Sequence, residues 1–152
     1  MPKKLNASPV NFKEQEQYAI KEKISAYLTS NGFYEMMTNS LTKSSQENLN
    51  EKLKAVELLN PLSTDLNVLR TTMLFTTLEA AQYNNNRKNE DLKLFDFGKI
   101  YFTAGEKFIE ENVLSLLVTG NRFPESRFKY GVEQSVYYLK GIITNVLNAS
   151  GI

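Results

Sequence analysis

Apolar residues along the chain recur at two spacings, and the alternation between them lays out the elements. From Asn11 to Asn31, Ile20, Ile24, Tyr27 and Leu28 fall at i, i+4, i+7 and i+8 with Lys and Glu between them, which predicts an amphipathic helix. Asn11 with Glu14 three residues on suits the start of that helix, and Asn31-Gly32 suits its stop. Phe33–Leu41 is expected to be a strand, Thr42–Lys54 a short helix and a loop, and Val56–Leu59 a brief strand ended by Asn60-Pro61. A second helix is expected over Thr71–Arg87, with Met73, Leu74, Leu78 and Ala81 near one side, ending in the polar run Asn84–Asn89. Leu92 to Phe102 reads as a strong strand with a bulge at Gly98. Thr103–Asn112 holds an Ala-Gly turn, and Val113–Val118, a continuous apolar run, reads as a central buried strand. Gly120–Gly131 is expected to be an irregular loop. Ser135–Ala149 is a third helix, with Tyr138, Ile142, Val146 and Ala149 at helical spacing.

Short links between the strands imply antiparallel pairing, and the helices must cover the sheet, so the expected class is α+β with at least three strands. No repeat, low-complexity tract or linker interrupts the pattern, so residues 1–152 are expected to form one domain. Hydrophobic residues make up 41% and charged residues 23%, a globular balance, and the formal net charge of +1 lacks the basic excess of a protein that grips a phosphate backbone along its length.

The chain has no cysteine and no histidine. That removes disulfides, thiolate nucleophiles, Cys/His zinc sites, imidazole acid–base catalysis and Ser-His-Asp triads together. The amino-terminal residues lack the apolar run of a signal peptide and no window approaches a membrane span, so a cytoplasmic location and no membrane partner are expected.

The remaining candidate motifs have plain structural readings. Asp96-Phe97-Gly98 has the composition of the magnesium-binding triplet of protein kinases, but the catalytic loop that accompanies it needs a histidine. Neither a GxGxxG nor a Walker-type phosphate loop occurs. Arg70 stands just before the second helix, where it is suited either to bind an anion or to make a structural ion pair or helix contact. Arg87 and Lys88 lie among asparagines, as expected of a solvated face; Phe95, Phe97, Tyr101 and Phe102 are expected in the core.

One set of residues is more specific. Asn60-Pro61-Leu62-Ser63, Val68-Leu69-Arg70-Thr71, Leu78-Glu79, Asn84 with Arg87, and Leu94 through Gly98 to Tyr101 follow one another, and Leu139-Lys140-Gly141 completes the series. From about Lys4 onward the chain resembles the bacterial phenylalanyl-tRNA synthetase beta subunit, in the domain that is similar to a class II synthetase catalytic core. The resemblance implies an antiparallel sheet flanked by helices, and a chain that is a fragment of a longer one. The helix Asn11–Asn31 and strand Phe33–Leu41 stand where class II enzymes have their dimerisation element. Ile20, Ile24, Tyr27, Leu28, Phe33 and Met36 are therefore candidates for a subunit interface. The implied partner is the catalytic alpha subunit, with tRNA(Phe) held mainly by regions outside this chain, and ATP and Mg expected only in the holoenzyme.

The same resemblance bears on catalysis. Class II enzymes place an arginine just after the Gly-x-φ-Tyr strand, on the ATP α-phosphate. Aligned on Gly98-Lys99-Ile100-Tyr101, that position is Phe102, which carries no charge and donates no hydrogen bond. No catalytic, cofactor-binding or metal residue is expected, and the domain is expected to be structural and pseudo-catalytic. The alternatives are a free-standing class II-like enzyme forming an acyl-adenylate, with Arg122 or Arg127 as the replacement arginine, and an RNA-binding module.

Overall fold

A computed structural model describes residues 12–49, 53–123 and 132–151. The first helix, α1, runs from Phe12 to Ser30; Asn11, its expected cap, lies outside the described residues. Its end is a Schellman motif. Gly32, at φ +81°, donates its N–H to the Thr29 carbonyl at 3.0 Å, and Phe33 donates to Leu28 at 3.0 Å. The motif turns the chain and also packs it, because Leu28 and Phe33, its two apolar partners, are both buried in the core.

The segment after the helix is not the single strand that its sequence suggests. Tyr34–Glu35 forms β1 and Leu41–Thr42 forms β2, in different sheets. Between them Thr38 donates its N–H to the Asp96 carboxylate at 3.3 Å, and the Asn39 and Ser40 carbonyls are taken by Arg70. Backbone groups bound to side chains and to another strand's end leave no ladder to continue. β1 is also parallel to its neighbour, a departure from all-antiparallel pairing.

A six-residue 3-10 helix, Ser44–Leu49, leads to β3 (Val56–Glu57), and β4 follows at Val68–Leu69. β4 lies between β2 and β3, antiparallel to both. The second helix, α2, spans Leu74–Asn85. It begins three residues later than its apolar pattern implies, because Thr71 is bonded to Glu47 and the Thr72 hydroxyl accepts from Leu74 N–H at 3.2 Å.

β5 (Lys93–Ala104) and β6 (Lys107–Val118) form a hairpin of 12 residue pairs in unbroken register, with Gly98 opposite Val113 and no bulge. Gly105, at φ +64°, occupies the first of the two turn residues, as a II′ hairpin turn requires. β6 thus starts six residues before the apolar run Val113–Val118. That run is not a central strand either: among the described residues β6 pairs with β5 alone, and Val113–Val118 are half-buried. Asn121–Phe123 (β7), within the expected irregular loop Gly120–Gly131, pairs antiparallel with Val132–Glu133 (β8) just beyond it. Residues 124–131 lie outside the described set. The third helix, α3, spans Val136–Ser150, with the Ser135 hydroxyl accepting the Tyr138 N–H at 3.1 Å as its N-cap.

Side chains alternate across the hairpin, and this sorts the helices into layers. Phe95, Phe97, Leu114 and Leu116 point to one face, where Ile24, Leu28 and Phe33 meet Ile142 and Val146 from α3. Asp96, Gly98 and Ser115 point to the other face, where the Thr77 hydroxyl of α2 lies 2.9 Å from that of Ser115. The short-strand sheet is joined to β5 by Tyr101 N–H to Arg70 O and Thr103 N–H to Lys54 O, both at 2.9 Å. The class is α+β, as its sequence implies.

Candidate functional site

The chemistry of this chain concentrates where β4 ends against β5. Arg70 is 2% exposed, a cation inside the protein. Its Nε donates to the Lys99 carbonyl at 2.9 Å, and its Nη1 donates to the Thr38 hydroxyl at 2.6 Å and the Asn39 carbonyl at 3.1 Å. The Thr38 hydroxyl in turn donates a hydrogen bond to Asp96 Oδ2, so a buried carboxylate and a buried guanidinium are joined through one hydroxyl. Burial pushes the Arg70 pKa down, and the charges of Asp96, Tyr101 and Glu47 act against that shift. Arginine keeps its proton even so, since its ordinary value lies far above neutrality. Beside it, buried Glu47 accepts from the Thr71 N–H at 2.8 Å and from the Thr71 hydroxyl, holding the residue that leads into α2.

Gly98 explains how the guanidinium fits. A Cβ there would stand 2.3 Å from Arg70 Nη2 and 2.4 Å from Met73 Cε. Arg70 cannot swing aside without giving up its acceptors. Gly98→Ala is expected to destabilise by about 1–3 kcal/mol through overpacking, read as a lowered urea midpoint with unchanged slope; a midpoint equal to that of the wild type would show that the ends of Arg70 and Met73 both give way without cost.

The other marked residues are placed as follows. Asn60 and Pro61 are on the exposed loop between β3 and β4, and Leu69 is half-buried in β4 opposite Leu41 and Val56. Asn84 closes the end of α2, donating to Ala80 O at 2.8 Å and accepting from Asn89 at 3.2 Å. Arg87 donates to Tyr83 O at 2.9 Å with its guanidinium 3.4 Å from that ring's centroid, a surface contact. Phe95 is wholly buried; Lys140 and Gly141 are exposed on α3. Phe102 is half-buried on β5 opposite Ile109, on the face of Asp96 and Gly98. Structure thus unites Arg70 and Gly98 and keeps Asn60, Arg87 and Lys140 apart from them.

Of the six candidate interface residues, Ile24, Leu28 and Phe33 are buried within the chain itself and leave no area for a partner. That part of the interface expectation is corrected: their apolar stripe is spent on α3 and the hairpin. Ile20, Tyr27 and Met36 are half-buried and keep some surface, and the Tyr27 hydroxyl accepts from Asn145 at 2.8 Å. Thr38, Glu47 and Asp96 were not legible as members of a network, because the contacts that join them span 24 to 58 residues.

This arrangement of a parallel β1, a long antiparallel hairpin and helices on both faces is that of a class II aminoacyl-tRNA synthetase core. Similar solved structures include an ATP phosphoribosyltransferase regulatory subunit/histidyl-tRNA synthetase from Bacillus halodurans, with a TM-score of 0.70 at 13% identity over 99% of this chain and 39% of that one. The pyrrolysyl tRNA synthetase PylSc of Desulfitobacterium hafniense gives 0.60 at 20% identity over 90% and 47%.

The chain belongs to the family of the phenylalanyl tRNA synthetase beta chain CLM domain, whose model matches residues 1–152. Its relatives include the phenylalanine--tRNA ligase beta subunits of Bacteroides thetaiotaomicron, 36% identical over all of this chain and 20% of that protein, and of Thermotoga maritima, 30% identical over 99% and 19%. The chain therefore spans about a fifth of the length of these curated relatives.

Proposed function

We propose that this domain is a non-catalytic structural and assembly unit of a phenylalanyl-tRNA synthetase beta subunit, which packs against the catalytic alpha subunit and supports its active site. The observation that carries the reading is the disposition of positive charge on the β5 face. Phe102 stands where a class II enzyme is expected to hold its phosphate-binding arginine. Arg70, which lies on that side, is buried, with Nε and Nη1 committed to Lys99, Thr38 and Asn39. A buried guanidinium held by its fold at Nε and Nη1 cannot swing out to a triphosphate without breaking those bonds.

ATP and Mg belong, on this reading, to the holoenzyme. Phe102, at the position of the phosphate-binding arginine, offers a nucleotide phosphate neither charge nor hydrogen-bond donor. The location is cytoplasmic and tRNA(Phe) is contacted mainly by other parts of the beta subunit; no helix among the described residues is long and apolar enough to cross a membrane. The contact with the alpha subunit falls on the outer side of α1 and on Ile20, Tyr27 and Met36, where surface remains.

Mixing this chain with purified alpha subunit tests the assembly reading. A co-eluting complex on size exclusion, weakened by a Tyr18→Asp/Met36→Asp variant that stays folded, is expected; separate elution of the two chains at tens of micromolar would contradict it.

A further inference from the structure

The apolar run of β6 lies along an open edge of its sheet. Leu92 and Thr119 exchange both of their backbone bonds, at 3.2 and 2.9 Å, and the register is unbroken from there to Lys107. By the alternation of an antiparallel ladder, the odd-numbered residues of β6 bond to β5 and the even-numbered ones turn their N–H and C=O outward. From Glu110 on these are Glu110, Asn112, Leu114, Leu116 and Val118. None of their outward groups meets a partner among the described residues.

Both faces beside this edge are already built. Leu114, Leu116 and Val118 pack on the core of α1 and α3, while on the other face Thr77 of α2 meets Ser115. Glu79 of α2 takes a bond from Gln46 at 2.8 Å, on the side of the short-strand sheet; about half a turn round the helix, Leu74, Leu78 and Ala81 lie on the side of β6. Leu74 is 52% exposed and Leu78 48%. On the opposite face Ile20 and Ile24 of α1 share a cavity with Val113 and Leu114. The edge thus opens between two helix flanks, a shape that admits a strand.

Sheet edges are ordinarily blunted by a charge, a proline or a bulge. From Asn112 to Val118 β6 has none of the three, and every residue from Val113 to Val118 is only half-buried. We propose that β6 is an interface for a second copy of this chain, whose own β6 pairs with it antiparallel about a two-fold axis at Ser115. That axis sets Leu114 against Leu116 of the second copy and Val113 against Leu117, each pair on one face of the sheet. Leu114 and Leu116 both turn their backbone outward, so they meet as a hydrogen-bonded pair. Glu110 and Glu111 fall opposite Gly120 and Thr119, so no like charges meet, and a net charge of +1 adds little repulsion between copies. The contact is isologous, closes at two chains and joins two three-stranded sheets into one. Ile20, assigned above to the alpha-subunit contact, borders the same edge, so the informative variants lie on β6 and not on α1.

Analytical ultracentrifugation of the 152-residue chain, with amide hydrogen exchange by NMR above and below the dimerisation range, tests the proposal. The expected result is a dimer that dissociates on dilution. In it the amides of Asn112, Leu114 and Leu116 should exchange at least about tenfold more slowly than in the monomer, while those of Val113, Ser115 and Leu117, already bonded to β5, change far less. Asn112→Pro removes one outward N–H at an exposed edge position that tolerates proline, and should weaken the dimer by about tenfold or more because both copies lose the bond. Its melting temperature shows whether the fold is kept, and the exchange pattern of the unaltered chain decides the matter without it. A chain that is monomeric at every concentration, or a dimer whose added protection falls on α1 and not on Asn112, Leu114 and Leu116, would overturn the proposal. Either result leaves the alpha-subunit reading to its own test.

Discussion

Arg70→Met is expected to lower the free energy of unfolding by about 3–5 kcal/mol, the usual result of removing one member of a buried charged network, with a fall in melting temperature on the order of 10 °C. The substitution preserves much of the apolar stem. It deletes the donors to Lys99 O, Asn39 O and the Thr38 hydroxyl, and it leaves Asp96 buried with Thr38 alone. Each stranded acceptor keeps its desolvation cost without its bond. Arg70→Lys should recover little, since one ammonium cannot reach the Lys99 carbonyl along one edge and Thr38 and Asn39 along another. Urea denaturation of Arg70→Met, Asp96→Leu and the pair checks the argument: the double variant should be less unstable than the sum of the singles by about 0.5–3 kcal/mol. A cost below about 1 kcal/mol for Arg70→Met would mean that the network is an ornament of the fold and not its centre.

Phe95→Ala should cost a similar amount, about 3–5 kcal/mol, through lost burial and the cavity that remains. Phe95 is wholly buried where α1, α3 and the hairpin meet, touching the cluster of Leu28, Phe33, Ile142 and Val146. Its ring also stands edge-on to Phe97, centroids 5.8 Å apart at 86°, a geometry that adds to the loss. Phe97 is only half-buried, so Phe97→Ala should cost distinctly less. Chemical denaturation of both variants gives the comparison; equal losses would place the core elsewhere than on the Phe95 face.

The helices could be read from the chain because their signal is local. The i, i+4, i+7 spacing of Ile20, Ile24 and Tyr27 needs no knowledge of the partner, and the Asn31-Gly32 stop works through bonds of five residues or fewer. The site was half legible. Arg70 and Gly98 stand in the family pattern, but nothing in their spacing says that one makes room for the other. That relation arises only when β4 is laid beside β5, 29 residues later.

The same cause produced the errors. Phe33–Leu41 has strand composition, yet Thr38 to Ser40 are claimed by Asp96 and Arg70 from far along the chain. Val113–Val118 has the apolar run of a central strand, yet whether a strand is central depends on what pairs with its far edge, which no local pattern contains. The interface expectation failed at Ile24 and Leu28 for a related reason: an apolar stripe says that a face will be covered, and α3, more than a hundred residues on, covers it.

On the proposed reading this domain is a class II core that does not itself activate an amino acid. Phenylalanine-dependent exchange of pyrophosphate into ATP by the isolated chain tests that claim most directly. No exchange above the rate without protein is expected, with or without Mg; turnover that depends on phenylalanine would contradict it.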